Sequence, residues 1–337
     1  MTRCVIVSMN EKYALYFSVL LASIIEYAEL GEKYEVVVLH DGLPGDCRER
    51  LSGMVSKENS KNILLRFLDV HRPMEGYQFF VNGTSNRAYL SREAYFRLLA
   101  PHLLPEYETA LYLDCDIVVN PGWEEIFATG LDGYLLAGIG DIWGNWECFD
   151  KNSKLYQYRQ SELELENPLD YFNSGVMLLN LALMRRVFRE GELLETAASK
   201  EWQKHDQDVL NRVCRGKVLF LDYRWNMIEC PGRRAKEAVP PEEYRKYEAC
   251  RKAPRIIHYA SRKPWIVKGV SFEQDFWAMA ARSVYFQELF THFIEEQLSQ
   301  GSCFEEKAFE SIRAGKIGVK FIVRCALMWA RRMLKRK

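Results

Sequence analysis

Apolar and polar positions follow two alternating patterns along the first part of the chain. Short segments rich in branched and aromatic residues are typical of β-strands, and the stretches between them have room for helices. The predicted strands span residues 3–9, 34–40, 63–68 and 109–113. This alternation predicts an α/β fold with a mostly parallel central sheet flanked by helices. Ligands bind beyond the carboxyl ends of such strands, so the segments after Met9, His40 and Leu113 are candidate sites.

The same patterns assign most of the remaining segments. We predict strands at 172–179, 218–221 and 256–258, and helices at 181–189, 207–214 and 272–300. The polar, acidic segment 153–168 is predicted to be a mobile surface loop. The apolar run 13–25 predicts a buried first helix, and a signal-peptide core is its alternative interpretation. We therefore divide the chain into a catalytic domain (1–268), a C-terminal helical extension (269–300) and a tail (301–337).

Composition places the chain among ordinary globular proteins. Its 337 residues are 48% apolar and 27% charged, and 46 basic side chains balance 46 acidic ones. Nine cysteines are scattered without a CxxC pair, which argues against a disulfide scaffold and against structural zinc. Reduced thiols indicate a cytoplasmic location.

The tail carries a strong local charge. Residues 307–337 contain ten Lys or Arg and one acid, so the rest of the chain is acidic. Helical spacings of four or seven align Lys316, Lys320, Arg324, Arg331 and Lys335 on one stripe, with Ile322, Cys325, Trp329 and Met333 largely on another side. This amphipathic pattern predicts peripheral contact with an anionic membrane. A solvated tail without a partner is the alternative, and the acidic body disfavours nucleic acid as a partner.

Candidate chemistry begins with Asp114 and Asp116, which follow an apolar strand one residue apart. Two adjacent carboxylates are costly to desolvate without a cation, and their hard oxygen ligands suit Mg²⁺ or Mn²⁺. An isolated D-x-D is more often a solvated acidic loop. A second apolar strand ends in His258, which completes a possible carboxylate–carboxylate–imidazole set and favours Mn²⁺. Lys263 follows and can neutralise a phosphate oxygen, although a lone histidine is more often structural.

Two further polar clusters lie at the ends of predicted elements. Asn173 and Ser174 stand at the entrance to an apolar strand, before Gly175. Asp206, Gln207 and Asp208 stand where a helix begins, and such side chains often only cap the helix. Capping and function are equally reasonable for Asp208, whereas function is the better interpretation for Asp206 and Gln207.

In this order, the segments LYLDCDIVV, YFNSGVMLLN, HDQDVLN and HYASRKPW resemble the retaining glycosyltransferases of family 8. That family includes bacterial lipopolysaccharide glucosyl- and galactosyltransferases and relatives of glycogenin. The resemblance covers about residues 3–265 and implies a GT-A type fold for transferases that use nucleotide-diphospho-sugars.

The resemblance also implies a role for each matching residue. Asp114, Asp116 and His258 would bind the metal, Mn²⁺ or Mg²⁺. Donor-binding residues would be Ser8, Asn10 and Tyr13 for the nucleotide, Arg97, Asp141, Asn173 and Ser174 for the sugar, and Lys263 for the diphosphate. Asp206 and Gln207 would act at the reacting sugar. The family often has an acidic residue where Asn10 stands, so the hydrogen bond made at this position is expected to differ.

The implied reaction moves glucose or galactose from a UDP-sugar to a cell-surface glycan, glycolipid or lipopolysaccharide acceptor, with retention of configuration. Same-face attack is the favoured mechanism, and a covalent intermediate on Asp206 or Gln207 is the alternative. Three other functions remain open. They are a haloacid dehalogenase-like phosphatase using Asp114 and Asp116, a nucleotidyltransferase, and a non-catalytic protein that binds nucleotide sugars.

Overall fold

A seven-stranded mixed sheet forms the centre of the fold in a computed structural model that describes residues 2–57, 62–79 and 92–299. The strands, in chain order, are β1 (Thr2–Ser8), β2 (Lys33–His40), β3 (Ile63–Asp69), β4 (Thr109–Leu113), β5 (Ile117–Val119), β6 (Leu136–Gly140), β7 (Phe172–Asn180), β8 (Val218–Leu221), β9 (Met227–Ile228) and β10 (Ile256–His258). The large sheet has the order β3-β2-β1-β4-β7-β6-β8. Within this large sheet, β7 is the only described strand that runs antiparallel to its neighbours, so the prediction of a mostly parallel sheet is confirmed.

Helices cover both faces of this sheet. They are α1 (Ala14–Tyr27), α2 (Gly45–Lys57), α3 (Ala100–Leu103), α4 (Lys154–Ser161), α5 (Leu181–Val187), α6 (Glu192–Ala198), α7 (Asp206–Val213), α8 (Arg233–Ala238), α9 (Pro241–Arg251), α10 (Glu273–Ala280) and α11 (Phe286–Ser299). Short 3₁₀ helices span Glu11–Tyr13, Arg92–Leu99, Trp123–Ala128, Trp146–Phe149 and Tyr223–Trp225. In the described parts of the chain, no helix combines the length and apolar character that a membrane crossing requires.

Strand β1 shows why the sheet needs helices on both sides. Cys4 and Ile6 pack into one hydrophobic cluster, whereas Val5 and Val7 pack into the cluster on the opposite face. All four are fully buried. Burial of a Val or Ile side chain stabilises a fold by about 1.5–3 kcal/mol, so this continuous apolar run holds two helical layers onto one strand.

A second, three-stranded sheet has the order β5-β10-β9 and positions the only histidine predicted to bind metal. β10 pairs antiparallel with β5, which places His258 opposite Ile117, the residue after Asp116. The Tyr259 N–H donates to the Asp116 carbonyl at 2.9 Å. Residues 142 positions apart in the chain are therefore fixed side by side by backbone hydrogen bonds.

The C-terminal helices α10 and α11 pack on the catalytic layers. The Ser18 and Ser283 hydroxyls are 2.5 Å apart, and the Gln297 amide donates to the Ile266 carbonyl at 2.7 Å. The predicted helical region is confirmed as far as Ser299, whereas the boundary at residue 268 stays a prediction. The predicted basic tail, 301–337, lies outside the described residues.

The prediction of a loop at 153–168 is wrong, because this segment contains α4. Its Arg159 is buried, with the guanidinium carbon 3.6 Å from the centroid of the Tyr171 ring and Nη2 donating to the Gly144 carbonyl at 3.0 Å. Leu163 and Leu165 are also buried. A helix is recognised in a sequence by a stripe of apolar residues, but the buried residue of α4 is the charged Arg159. The segment 153–168 therefore resembles a polar surface loop. The short strands β5, β6 and β9 and the helices α8 and α9 were also not predicted.

Candidate active site

Asp114, Asp116 and His258 meet at the end of β4. The Asp114 N–H donates to the Gly175 carbonyl at 2.8 Å, which continues the β4–β7 ladder by one step. His258 Nε2 lies 3.2 Å from Asp116 Oδ1 and 3.7 Å from Asp114 Oδ2. One ligand atom from each residue lies within 4.8 Å of the other two. We call these three side chains the metal cluster.

The metal cluster fits a divalent ion. Neighbouring ligands of an octahedral ion with bonds of ~2.1 Å lie about 3 Å apart, close to the separations between Nε2 and the two carboxylates. Two oxygens and one imidazole nitrogen admit both Mg²⁺ and Mn²⁺. Gly175 leaves the necessary space, since a Cβ there would lie 2.3 Å from His258 Cε1 and 2.7 Å from Asp114 Oδ2. The small residue in the sequence FNSGV is therefore required by the cluster.

Lys263 contacts the carboxylate oxygen of Asp116 that does not face His258. Its ammonium group bonds Asp116 Oδ2, and the Asp116 side chain is 12% exposed. Burial alone would raise the pKa of Asp116, but Lys263 and His258 outweigh it and hold that pKa far below its usual range. Asp116 is therefore ionised at any physiological pH.

Arg97 joins the metal cluster to the start of α7. Its Nη2 donates to Asp114 Oδ1 at 2.9 Å, and its Nε lies 3.3 Å from Asp206 Oδ2. Nη1 donates to the Ser174 carbonyl at 2.6 Å, and the guanidinium carbon lies 4.2 Å from the centroid of the Tyr112 ring. The side chain is 6% exposed, so this arginine is a buried cation shared by two carboxylates.

Asp206 is a buried carboxylate with two partners. Besides Arg97, it accepts a hydrogen bond from the Ser174 hydroxyl at 3.0 Å. Burial raises the pKa of Asp206 to about 6, and the attraction of Arg97 opposes this rise only in part. Asp206 therefore titrates close to neutrality, unlike Asp116.

Gln207 lies beside Asp206, and its amide oxygen accepts two hydrogen bonds. Its Oε1 accepts from Asn173 Nδ2 at 3.2 Å and from the Ser174 N–H at 3.1 Å. Its Nε2 donates to Asp141 Oδ2 at 3.2 Å, and Asp141 also accepts from the Gly144 N–H at 2.8 Å. The predicted residues of the sugar site thus form one hydrogen-bonded group.

Ser8, Asn10 and Tyr13 lie together after β1. The Asn10 side chain accepts from the Tyr13 N–H at 3.3 Å and caps the 3₁₀ helix Glu11–Tyr13. Tyr13 packs edge-on against Tyr16, whose ring stacks on Trp265 with centroids 4.1 Å apart. Asn10 therefore uses its oxygen locally, where an acidic residue is usual in the family that the sequence resembles.

These groups line one cavity of about 640 Å³, within the range of sites for small ligands. All of the predicted site residues line it except Asp141, which lies behind Gln207. The position of each side chain is thus established by the structure, whereas its role in binding a donor stays a prediction. The sequence model of the family described as "Glycosyl transferase family 8" matches residues 4–268. The chain belongs to glycosyl transferase family 8.

Curated relatives of this family 8 chain include two bacterial proteins of related description. It is 31% identical to "Lipopolysaccharide 1,2-glucosyltransferase" of Escherichia coli over 52% of this chain and 49% of that protein. It is 32% identical to "Glycosyltransferase GlyA" of Streptococcus pneumoniae over 47% of this chain and 19% of that protein. The matched region therefore spans less than half the length of either relative.

Solved structures have the same fold. The bifunctional glycosyltransferase WbbM superposes with a TM-score of 0.74 at 28% identity, covering 86% of this chain and 51% of WbbM. The galactosyltransferase LgtC, solved with donor and acceptor sugar analogues, superposes with a TM-score of 0.64 at 22% identity, covering 83% of this chain and 96% of LgtC. The prediction of a GT-A type fold is thereby confirmed.

The family 8 assignment also bears on the phosphatase alternative. Three described strands precede the strand that Asp114 and Asp116 follow, whereas the phosphatase nucleophile usually follows the first strand of its domain. Both aspartates also fall within the region matched by the family. These observations argue against a haloacid dehalogenase-like phosphatase.

Sequence reasoning missed several residues of this family 8 site. The cavity is also lined by Glu93, Gln203, Lys204, His205, Arg262, Ile266 and Val267. His205 has a φ of 51° although it is not a glycine, and it directly precedes Asp206. Its Nδ1 lies 3.1 Å from the Tyr95 hydroxyl. A strained backbone next to functional side chains is a frequent feature of active sites, but a sequence gives no sign of it.

Asn226 is the missed residue with the clearest connection to the metal cluster. It is 4% exposed, and its Oδ1 lies 3.0 Å from His258 Nδ1. Its Nδ2 donates to Asn173 Oδ1 at 2.9 Å. A single asparagine before a two-residue strand carries no recognisable signal in a sequence.

Proposed function

We propose that this family 8 glycosyltransferase transfers a hexose, glucose or galactose, from a UDP-sugar to a cell-surface glycan or lipopolysaccharide acceptor, with retention of configuration. The observation that carries the proposal is the metal cluster, which adjoins a buried group of amides and carboxylates in one cavity. The descriptions of the E. coli glucosyltransferase and of the LgtC complex support this class of donor and acceptor.

Each part of the cavity suits one part of such a donor. Asp114, Asp116 and His258 would hold Mn²⁺ or Mg²⁺, which supplies positive charge against the charge that develops on the leaving diphosphate. Lys263 would bind a phosphate oxygen. Residues Ser8, Asn10 and Tyr13 would line the nucleotide subsite, and Arg97, Asp141, Asn173, Ser174, Asp206 and Gln207 the sugar subsite.

The hydrogen bonds around Gln207 favour same-face attack over a covalent intermediate. Both lone pairs of its Oε1 already accept hydrogen bonds, and Asp206 is engaged by Arg97 and Ser174. In same-face attack, the acceptor oxygen bonds to the anomeric carbon as the bond to the diphosphate oxygen breaks. That phosphate oxygen receives the bond's electron pair and then the acceptor proton, so atoms and charge balance.

Glucose and galactose donors, each with Mn²⁺, provide the direct test. We expect slow UDP release from one of them without acceptor, and loss of at least about 100-fold of this rate in Asp116→Asn. Asp132→Asn, an exposed aspartate away from the cavity, is the matched control. Binding of UDP without turnover of any sugar donor would instead support the non-catalytic alternative.

We further propose that the basic tail, 301–337, attaches a cytoplasmic protein to the surface of an anionic membrane, next to a lipid-linked acceptor. The charge pattern of the tail supports this step. We also propose the division into a catalytic domain (1–268), a C-terminal helical extension (269–300) and the tail (301–337). Deletion of the tail is expected to release the protein from anionic vesicles and to leave UDP-sugar hydrolysis unchanged.

A further inference from the structure

A continuous chain of side-chain hydrogen bonds runs from the metal cluster to the far side of the sugar subsite. It begins at His258 Nδ1, which is 3.0 Å from Asn226 Oδ1. Asn226 Nδ2 donates to Asn173 Oδ1 at 2.9 Å, and Asn173 Nδ2 donates to Gln207 Oε1 at 3.2 Å. Gln207 Nε2 donates to Asp141 Oδ2 at 3.2 Å. We call these five side chains the amide chain.

The direction of the amide chain is fixed by groups that cannot reverse their roles. A backbone N–H only donates, and a carboxylate oxygen only accepts. The Ser174 N–H donates to Gln207 Oε1 at 3.1 Å, and Asp141 requires the opposite, NH₂ side of the same amide. The Gly175 N–H donates to Asn173 Oδ1 at 3.0 Å. Rotation of either amide by 180° would therefore set donor against donor and acceptor against acceptor.

This direction determines which nitrogen of His258 carries a proton. Because Asn173 presents Oδ1, Asn226 must turn its NH₂ group toward Asn173 and its Oδ1 toward the imidazole. An amide oxygen can only accept, so His258 Nδ1 must be the donor. In the neutral imidazole, Nε2 then keeps its lone pair, and this is the atom that faces Asp114 and Asp116.

We propose that Asn226 is a positioning residue of the metal site, which holds His258 as the Nδ1–H tautomer and connects the metal cluster to the orientation of Gln207. The metal part of this inference rests on the proposed function, whereas the tautomer does not. Metal-bound histidines commonly need such an acceptor behind them, and its loss weakens metal affinity by about 10- to 100-fold. Asn226 is 4% exposed, so water has little access to replace its oxygen.

A purely structural role is the competing explanation for Asn226. It follows the 3₁₀ helix Tyr223–Trp225, and its N–H donates to the Tyr223 carbonyl at 3.2 Å. Under that explanation, truncation of the side chain lowers the free energy of unfolding but changes neither the histidine tautomer nor the affinity for metal. The two explanations therefore differ in measurable quantities other than stability.

The first experiment needs no variant of Asn226. The chain has six histidines, and ¹⁵N NMR of the metal-free protein at mildly alkaline pH distinguishes their tautomers. A His258→Gln variant identifies the signals of His258. In the neutral imidazole of His258 we expect the proton on Nδ1 and none on Nε2, and a neutral ring that carries its proton on Nε2 overturns the proposal.

The second experiment measures Mn²⁺ affinity in the presence of UDP by electron paramagnetic resonance. Asn226→Ala is expected to weaken Mn²⁺ binding by about 10- to 100-fold. Asn180→Ala is the matched control, because the Asn180 side chain makes three hydrogen bonds, against two for Asn226, but lies at the opposite end of β7. It should lower stability and leave Mn²⁺ affinity unchanged. Wild-type Mn²⁺ affinity in folded Asn226→Ala contradicts the proposal.

Asn226→Asp separates the two ends of the amide chain and remains informative if the alanine variant does not fold. A carboxylate at this position still accepts from His258 Nδ1 but cannot donate to Asn173. Mn²⁺ affinity should therefore stay within about threefold of wild type, while kcat for UDP-sugar hydrolysis falls about tenfold. A loss of Mn²⁺ affinity as large as in Asn226→Ala would refute the proposed direction of the chain. If the wild type bound neither Mn²⁺ nor UDP, the proposed function would fail. The inference that Asn226 fixes the tautomer of His258 would still be tested by the ¹⁵N NMR measurement on the metal-free protein.

Discussion

Replacement of Gly175 by alanine tests the geometry of the metal cluster with a single methyl group. The added Cβ would lie 2.3 Å from His258 Cε1, 2.7 Å from Asp114 Oδ2 and 2.9 Å from His258 Nδ1. Ordinary contacts between such atoms begin near 3.4 Å, so the imidazole must move by about 1 Å. Gly175 does not have a positive φ, and the effect is therefore steric rather than conformational.

The neighbours of Gly175 have little freedom to make room. His258 is paired with Ile117 in the small sheet and hydrogen bonded to Asn226. Asp114 is held by Arg97 and by the Tyr112 hydroxyl, which donates at 3.2 Å. Overpacking of this kind costs about 1–3 kcal/mol of stability, and a 1 Å displacement of a reacting group can lower a rate about 100-fold.

We expect Gly175→Ala to remain folded at 25 °C, to bind Mn²⁺ at least about tenfold more weakly, and to hydrolyse the UDP-sugar about 100-fold more slowly. The measurements are Mn²⁺ titration by electron paramagnetic resonance, UDP release and thermal unfolding. Gly53→Ala is the matched control, since a Cβ at Gly53 meets nothing within 4 Å. It should stabilise α2 by up to about 1 kcal/mol and leave activity unchanged. Wild-type Mn²⁺ affinity in Gly175→Ala would show that the three side chains do not bind one ion.

Three further substitutions probe the charges of the site. Arg97→Met removes the cation between Asp114 and Asp206 and should lower the free energy of unfolding by about 3–5 kcal/mol, measured in urea; a loss under 1 kcal/mol would contradict a buried ion pair. Lys263→Met should weaken UDP affinity at least about tenfold, because a cation that binds phosphate is lost. The same change should strengthen the binding of Mn²⁺ alone by about threefold, because no ammonium group then competes for Asp116. Calorimetric titrations in which both affinities fall would contradict this competition. The raised pKa of Asp206 contributes stability that is fully present below the ordinary value of 3.8 and is lost as pH rises through about 6. The difference in unfolding free energy between the metal-free wild type and Asp206→Asn should therefore change by roughly 3 kcal/mol between about pH 3 and about pH 7, and a difference that is flat with pH would refute the raised pKa.

The sequence was sufficient for the parts of the site that adjoin strands. Apolar strands followed by polar residues located Asp114, Asp116 and His258, because strand ends in an α/β sheet point to a shared edge. The sequence was insufficient for Asn226, whose partners lie 32 and 53 residues away and depend on the register of three strands. Arg159 was missed for a related reason, since the pattern of a segment does not show when a charged side chain is buried among carbonyl groups.

The reversed strand β7 explains why one motif of this site follows the carboxyl end of its strand whereas another lies at the amino end of its strand. β4 and β7 pair antiparallel, with Leu113 opposite Val176. The end of β4 therefore meets the beginning of β7, and Asp114, which follows one strand, faces Gly175, which lies near the start of the other. A parallel strand in that position would bring Asn180 to the metal cluster and carry Asn173 to the opposite edge. The amide chain that leads from His258 to Gln207 thus depends on one reversed strand in an otherwise parallel sheet. Ligands are expected beyond the carboxyl ends of parallel strands, and where a strand is reversed, the residues at its amino end lie at that same edge and must be searched as well.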